Sequence, residues 1–233
     1  MTNKFYQPGA QRAEKVNDLF AAVAPRYDLI NDWQSLGWHR WWKRALIAAA
    51  AVQPGDRALD VCCGTGDLAV RLERAGAEVT GLDFSAAMLA IARPRSSGIQ
   101  WIEGDALRLP FADQTFDVVT VGYGLRNLAN WEVGLAEMWR VARPGGRLLV
   151  LDFGKPDQAL WRAIYFGYLR RVVPLFGRVF CHDAATHAYI LESLRHYPAQ
   201  RGVAAKLTAL GGGDVKTRNF LGGAMSLSVA RKP

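Results

Sequence analysis

Apolar residues recur along this chain in two alternating patterns. Short unbroken runs end at Asp60, at Asp83 after Val79 to Leu82, and at Ile102 after Ile99. Further runs cover Phe116 to Val121 and Leu148 to Phe153. Such runs read as strands buried on both faces. Between them, apolar positions return every three or four residues, the spacing of amphipathic helices. Leu68, Leu72 and Ala75 mark one helix, stopped by Gly76. Met88, Leu89 and Ala92 mark another, with Ser85 as its N-cap and Pro94 as its end. A third runs from about Trp131 to Val141 with Leu135, Met138 and Trp139 inward, and Arg143-Pro144-Gly145-Gly146 terminates it. Strands alternating with helices predict an α/β domain built on a mostly parallel sheet covered on both faces. In such sheets ligands bind at the carboxyl ends of the strands, at or near Asp60, Asp83, Asp105, Gly122 and Asp152 here.

The flanking segments lack this alternation. Residues 1–10 read as a loose arm. Val16, Leu19, Phe20 and Val23 share a helical face that Pro25 closes, and WHRWWKRALIAAAA is a second helix, rich in tryptophan and cations. Residues 1–52 are therefore expected to form a helical lid that shapes a pocket, and 53–233 the main domain. Near the other end, Val203 to Leu210 reads as helix and Gly211 to Gly213 as loop. Two short runs then close the sheet as an antiparallel pair, for seven strands in all.

The chemistry starts at Gly64 and Gly66, which follow the first strand in a turn too tight for larger side chains. A glycine turn opening a helix lets a ligand lie against the backbone, and an acid after the next strand, Asp83, suits ribose hydroxyls. Gly64, Gly66 and Ala69 also satisfy the dinucleotide pattern G-x-G-x-x-G/A, so this unit alone leaves the cofactor open.

At 233 residues the chain is one domain with at most a small cap. It has no apolar run long enough to span a bilayer and no signal-peptide apolar region at its start. Three cysteines without paired spacing (Cys62, Cys63 and Cys181) argue against a disulfide framework and form no metal-ligand pattern; no metal is expected. His182, His187 and His196 read as surface or packing residues. A net charge of +8 and a pI near 9.7 point to an anionic partner, a nucleic acid or an anionic membrane surface, with a merely soluble basic protein as the alternative.

Asp105 beside LPF supplies a third acid, suited to an adenine amino group, where a dehydrogenase needs only Asp83. With RPGGRLLVLDF, this order of motifs resembles the class I S-adenosylmethionine-dependent methyltransferases, whose fold is Rossmann-like. APRYDLINDWQSLGWHRWWKR, LDVCCGTGDLA, GLDFSAAMLAIAR, EGDALRLPFADQTFD, GYGLRN and RPGGRLLVLDFGKP together resemble the ubiquinone/menaquinone C-methyltransferase (UbiE-type) family. The GYGLRN spelling and NDWQSLG are similar to its phylloquinone branch, which methylates 2-phytyl-1,4-naphthoquinol.

The resemblance implies S-adenosylmethionine as co-substrate and a ring carbon of a prenylated naphthoquinol as acceptor. Demethylmenaquinol or a ubiquinone precursor is the alternative. Gly64, Thr65 and Gly66 are implied at the methionine end of the cofactor, Asp83 at the ribose, Asp105 with Ala106 at the adenine, and Gly122 beside the cofactor. Cys62 replaces the loop's usual first glycine, and Gly122 stands where serine is frequent. The implied catalytic residues are Arg126, Asn127 and Tyr27. A quinol hydroxyl has a pKa near 10, so its ionisation at neutral pH costs roughly 4 kcal/mol. A guanidinium stays protonated, so Arg126 is read as a fixed cation that stabilises the quinolate, while Tyr27 and Asn127 orient the ring or a relay water. Asp28 and His39 are the alternative bases; otherwise they cap a helix and pack the lid.

The segment Ala159 to Phe180 contains no acidic residue, and Trp161, Ile164, Tyr165, Tyr168 and Val172 fall on one helical face. With Arg162, Arg170 and Arg171 it reads as an interfacial helix within a helical insertion at 157–200, near the substrate pocket. Core packing with a cationic rim is the other reading. The expected location is cytoplasmic and peripheral to the membrane holding the quinone pool, with no nucleic-acid partner and a homodimer left open. An RNA methyltransferase and a non-catalytic protein on the same fold are the rivals.

Overall fold

Strand β1 (Arg57–Val61) is central because four of its five residues are buried, as a strand covered on both faces must be. In this computed structural model, which describes all residues except 1, 2, 7–10 and 182, it pairs in parallel with β2 (Glu78–Asp83) and β4 (Phe116–Gly122). The strand β3 (Gln100–Glu103) lies beyond β2, and β5 (Ala142–Phe153) beyond β4, all parallel. β7 (Met225–Arg231) runs antiparallel to β5 and to the edge strand β6 (Gly213–Phe220). The order is β3-β2-β1-β4-β5-β7-β6, seven strands among the described residues. From β1 the chain winds outward to β2 and β3, then returns to β4 on the opposite side. That reversal opens a crevice at the carboxyl ends of β1 and β4, where ligands of such sheets bind.

Alternation along the strands splits the core. Leu59, Val61 and Val119 face α6 (Trp131–Val141), α9 (Ala185–His196) and α10 (Ala199–Ala209). Ala58, Val118 and Leu149 face α3 (Trp38–Ala50) and α4 (Asp67–Arg74). A smaller cluster joins α1 (Arg12–Val23) to α5 (Ala86–Ala92) and α9 through Leu19, Val23, Met88 and Tyr189. α2 (Tyr27–Gln34) follows a 3-10 turn that contains Pro25. α1 to α3 thus lie over the crevice and one sheet face.

Several expectations need correction. Residues 3–6 of the N-terminal arm are docked. Tyr6 is buried, stacks on His196 at 4.9 Å and carries the Arg12 guanidinium 4.6 Å above its ring. The long basic helix is two helices, α7 (Ala159–Arg171) and α8 (Val173–Cys181). Pro174 accounts for the break, since its ring clashes with the carbonyl four residues back in a continuing helix. The expected apolar face of that helix also divides, with Tyr165 and Leu169 inward and Ile164 and Val172 outward. β5 begins at Ala142, because the arginine-proline-glycine-glycine turn is absorbed as an irregularity in its pairing with β4. Ser85 makes no side-chain cap; its backbone N–H instead donates to Asp83 Oδ1 at 2.8 Å. His182 and the side chain of Cys181 lie outside the described residues.

Candidate active site

The carboxyl ends of β1 to β4 and the α1 helix wall a cavity with about 780 Å³ of empty space including its opening. Cys62 and Gly64, Asp83 to Ser85, Gly104 to Leu107, and Gly122 to Gly124 line it from the sheet; Asn17, Phe20 and Tyr27 close it from above. Gly64 sits at φ +55 with nothing within 4 Å of where a Cβ would stand, so ligand atoms can approach its backbone. Asp83 Oδ2 accepts the Gly64 N–H at 2.7 Å and Oδ1 that of Ser85 at 2.8 Å. Each oxygen keeps a second lone pair for a ligand hydroxyl. Burial raises the pKa of Asp83, opposed by those backbone donors. Asp105 is an exposed carboxylate on the wall whose Oδ1 accepts the Leu107 N–H at 2.8 Å, beside the Ala106 backbone.

Of the expected cofactor residues, Gly64, Asp83, Asp105, Ala106 and Gly122 share this wall. Thr65 and Gly66 do not border it. Thr65 is buried and its hydroxyl donates to Asp28 Oδ1 at 2.9 Å. A Cβ on Gly66 would stand 2.5 Å from the Trp101 ring, so this glycine serves helix-to-strand packing. The loss of the loop's first glycine is not neutral either. Cys62 holds φ +56, a conformation costing a non-glycine residue about 1–2 kcal/mol. Gly124 makes room for it, since a Cβ there would come 2.4 Å from that of Cys62. Burial and then the surrounding carboxylates push the Cys62 thiol well above its ordinary pKa, so it stays protonated.

A second cavity opens beside the first and is much larger, with about 1700 Å³ of empty space including its mouth. Phe20, Tyr27 and Tyr123 line both. Its walls are mainly apolar and aromatic, drawn from α1 to α3, α7, α9 and the approach to β7. Leu36, Trp38, Ile164 and Leu221 line it and are also solvent-exposed, which sets them at its rim.

The turn after β4 places Arg126 on this second cavity and Asn127 on the first. Arg126 is almost fully enclosed. Its Nη1 donates to Asn127 Oδ1 at 2.5 Å, its Nε lies 3.5 Å from Asp152 Oδ1, and its guanidinium lies 4.8 Å from the centre of the Phe153 ring. The backbone is held too: Arg126 N–H donates to Asp152 Oδ2 at 3.1 Å, and Arg12 donates to the Arg126 and Asn127 carbonyls at 2.6 and 3.3 Å. Burial raises the pKa of Asp152, and Arg126 opposes the rise. Burial likewise raises Tyr27, with Asn31 and Arg126 opposing. The structure therefore brings together the three expected catalytic residues where the cavities meet. Asp28 borders neither cavity, its oxygens being taken by Thr65 and Arg95.

Sequence reasoning missed two neighbours. Tyr123 has a buried hydroxyl without a partner and a backbone at φ +62. His187 is a packing residue, buried against the second cavity and hydrogen-bonded to Thr186 Oγ1 at 2.8 Å, and its place on that wall was not expected. Tyr123 had a local signal, its place within GYGLRN; His187 had none, because its setting depends on how α9 packs.

The first cavity fits S-adenosylmethionine. It offers a backbone approach at Gly64, carboxylates at Asp83 and Asp105 for hydroxyl and amino donors, and the rings of Phe20, Tyr27 and Tyr123 for a sulfonium cation. Among the described residues, no three His, Cys, Asp or Glu side chains converge as a metal site.

Comparison with known proteins agrees. Residues 9–232 match the ubiE/COQ5 methyltransferase family. A demethylmenaquinone methyltransferase of Mycobacterium sp. (strain KMS) is 42% identical over 219 residues, covering 94% of each chain. The ubiquinone/menaquinone biosynthesis C-methyltransferase UbiE of Ectopseudomonas mendocina (strain ymp) is 40% identical over 235 residues, covering 97% of this chain and 92% of its own. Among solved structures, the [4+2]-cyclase SpnF (TM-score 0.65, 19% identity, 97% and 98% covered) shares the fold. So does a Thermotoga maritima S-adenosylmethionine-dependent methyltransferase (TM-score 0.63, 19% identity, 93% and 99% covered). The chain has the class I S-adenosylmethionine-dependent methyltransferase fold and belongs to the ubiE/COQ5 methyltransferase family.

Proposed function

We propose that this methyltransferase moves the methyl group of S-adenosylmethionine to a ring carbon of a prenylated naphthoquinol. The observation that carries this reading is the junction: an apolar cavity opens off the cofactor cavity, with a buried cation, Arg126, on its wall. An aromatic ring with a long isoprenoid tail suits such walls, and a cation held in a low-dielectric site stabilises a quinolate. The demethylmenaquinone methyltransferase at 42% identity supports a demethylmenaquinol, while the UbiE name at 40% covers ubiquinone and menaquinone biosynthesis alike. The GYGLRN spelling supports 2-phytyl-1,4-naphthoquinol; both share the ring that reacts.

In-line transfer from a sulfonium needs alignment and exclusion of water. Asp83 would hold the ribose, Asp105 and the Ala106 backbone the adenine, and Gly64 the methionine end. Tyr27 and Tyr123 would set the ring across the junction, and Arg126 would receive the developing negative charge. The tail would leave through the rim of Leu36, Trp38, Ile164 and Leu221, which supports peripheral contact with the membrane carrying the quinone pool on its cytoplasmic side. The test is methylation by the purified chain of demethylmenaquinol, 2-phytyl-1,4-naphthoquinol, a demethylated ubiquinone precursor and transfer RNA, each with labelled S-adenosylmethionine. Label in a naphthoquinol alone is expected; label in RNA alone, or in nothing, overturns the reading.

A further inference from the structure

Ionising a quinol requires a proton acceptor, and the acidic and basic groups on and beside the two cavities are not equivalent. Asp152 has both oxygens engaged, Oδ2 by the Arg126 N–H and Oδ1 by the Phe153 N–H at 2.8 Å, with the Arg126 guanidinium alongside. Asp28 is tied to Thr65 and Arg95 and borders neither cavity. Two imidazoles border the apolar cavity, His39 and His187.

They differ in what supports them. His39 is 7% exposed, and its Nε2 lies 2.7 Å from Asp32 Oδ1. Asp32 is gripped by Arg40, through Nε at 2.9 Å and Nη2 at 2.6 Å, which fixes the carboxylate against the ring. A carboxylate only accepts, so Nε2 carries the hydrogen and Nδ1 the lone pair. That Nδ1 is buried and has no partner. His187, by contrast, gives its Nδ1–H to Thr186, whose hydroxyl is itself committed to the Asp183 carbonyl at 2.7 Å. No carboxylate supports its ring, and burial pushes its pKa down to about 4, too feeble for this proton.

Taking the site as a quinol methyltransferase, we propose that His39 Nδ1 accepts the quinol hydroxyl proton and that Asp32 positions the ring for it. The O–H pair stays as a quinolate and reaches the ring carbon. That carbon bonds the methyl group while the S–C pair stays on sulfur. The ring C–H proton then leaves to water, its pair restores aromaticity, and the imidazolium returns its proton to the oxygen. One proton is released per turnover. Burial, aided by Lys43 on the same helix, lowers the His39 pKa, while Asp32 on α2 and Asp67 on α4 oppose the fall. The ring is therefore neutral, and able to accept, at neutral pH.

The test uses the full chain with His39→Gln, His39→Ala, Asp32→Asn and His187→Gln. Single-turnover methylation of demethylmenaquinol in detergent is followed from pH 5.5 to 9.5, with S-adenosylmethionine affinity measured alongside. His39→Gln is expected to slow transfer by about 10²–10⁴-fold with cofactor affinity unchanged, and to recover as pH rises. Added imidazole should partly restore His39→Ala. Asp32→Asn should slow transfer by up to about 10⁴-fold, through loss of the imidazole tautomer the carboxylate fixes, and move the acid limb of the profile to lower pH, because the imidazolium loses its carboxylate. His187→Gln, on the same cavity wall, should change the rate by the same factor at every pH and leave the acid limb where it is in wild type. The Asp32→Asn profile keeps the test intact should a His39 variant lose its fold. A His39→Gln rate within threefold of wild type at every pH overturns the proposal. So does an equal loss at all pH values without imidazole rescue, or a pH-dependent loss at His187 instead. A wild-type chain that binds S-adenosylmethionine but methylates no naphthoquinol overturns the reading of the site, before any variant is compared.

Discussion

Arg126 has two tasks, and they can be separated. Its guanidinium is the cation beside Asp152, a carboxylate 2% exposed at the end of the central sheet. Arg126→Gln leaves that carboxylate buried with two backbone N–H donors and no opposing charge. Removing one partner of a buried pair costs about 3–5 kcal/mol. The single variant should therefore unfold at clearly lower urea, and its lost activity would mix structural and chemical causes. Arg126→Gln with Asp152→Asn removes both charges, and its stability should return to within about 1–2 kcal/mol of wild type. Cofactor affinity should survive in the double variant, because Arg126 does not border the cofactor cavity. The methyl-transfer rate should still fall by a factor on the order of a hundred or more, the loss expected for one preorganised stabiliser. Urea denaturation, calorimetry with S-adenosylmethionine and single-turnover methylation measure the three quantities. An Arg126→Gln midpoint equal to wild type would show that the pair does not anchor the turn. A double variant that methylates at the wild-type rate would reduce Arg126 to a partner for Asp152.

Other outcomes follow from the same geometry. Asp83→Ala should weaken S-adenosylmethionine binding by about 1.5–3 kcal/mol through lost charge-assisted hydrogen bonds; calorimetry showing unchanged affinity would remove Asp83 from the ribose. Wild type should bind anionic vesicles, less as salt rises, and Leu36→Glu with Ile164→Glu, at two exposed rim positions, should abolish that binding; equal sedimentation of both proteins refutes a membrane-facing rim. Burial holds Asp60 at about 7 against 3.8 unfolded, so it lowers stability as pH rises from 4 to 7, by up to about 4 kcal/mol; His187, at about 4 against 6.5, lowers stability as pH falls over nearly the same window, by up to about 3 kcal/mol. The two slopes nearly cancel in wild type, so Asp60→Asn should lose stability towards acid and His187→Gln should gain it; urea midpoints with one common slope would reject both assignments.

What the sequence made legible was local. The centre of the sheet could be read because its strands are apolar runs, and the glycine loop because Gly64 needs a positive φ that few residues adopt. Arg126 and Asn127 were legible through the GLRN spelling. The break at Pro174 was also written locally, yet the apolar stripe from Trp161 to Val172 reads as one helical face when the chain is taken alone. Only tertiary packing decides that Tyr165 turns inward while Ile164 faces solvent. Thr65 misled for a related reason. A threonine in a ligand-binding loop suggests a ligand contact, but the lid supplies Asp28 from 37 positions away as its partner.

That Thr65 contact links the lid to the loop and explains why the two cavities meet as they do. Tyr27 lines both cavities, and Asp28, the next residue, grips the loop hydroxyl on one oxygen and Arg95, in the 3-10 turn after α5, on the other. The ring of Tyr27 is thus tied through one backbone step to the loop that borders the cofactor cavity. On the far wall, Tyr168 of α7 donates its hydroxyl to the Gln34 carbonyl at the end of α2, at 3.2 Å, which joins the lid to the helices bounding the apolar cavity. The α2 segment is thus fastened at both ends, to the loop after β1 and to the wall of the apolar cavity. A methyl cation equivalent is lost to any nucleophile that reaches it, so a junction walled by rings and closed by a strapped lid protects the reaction as well as aligning it.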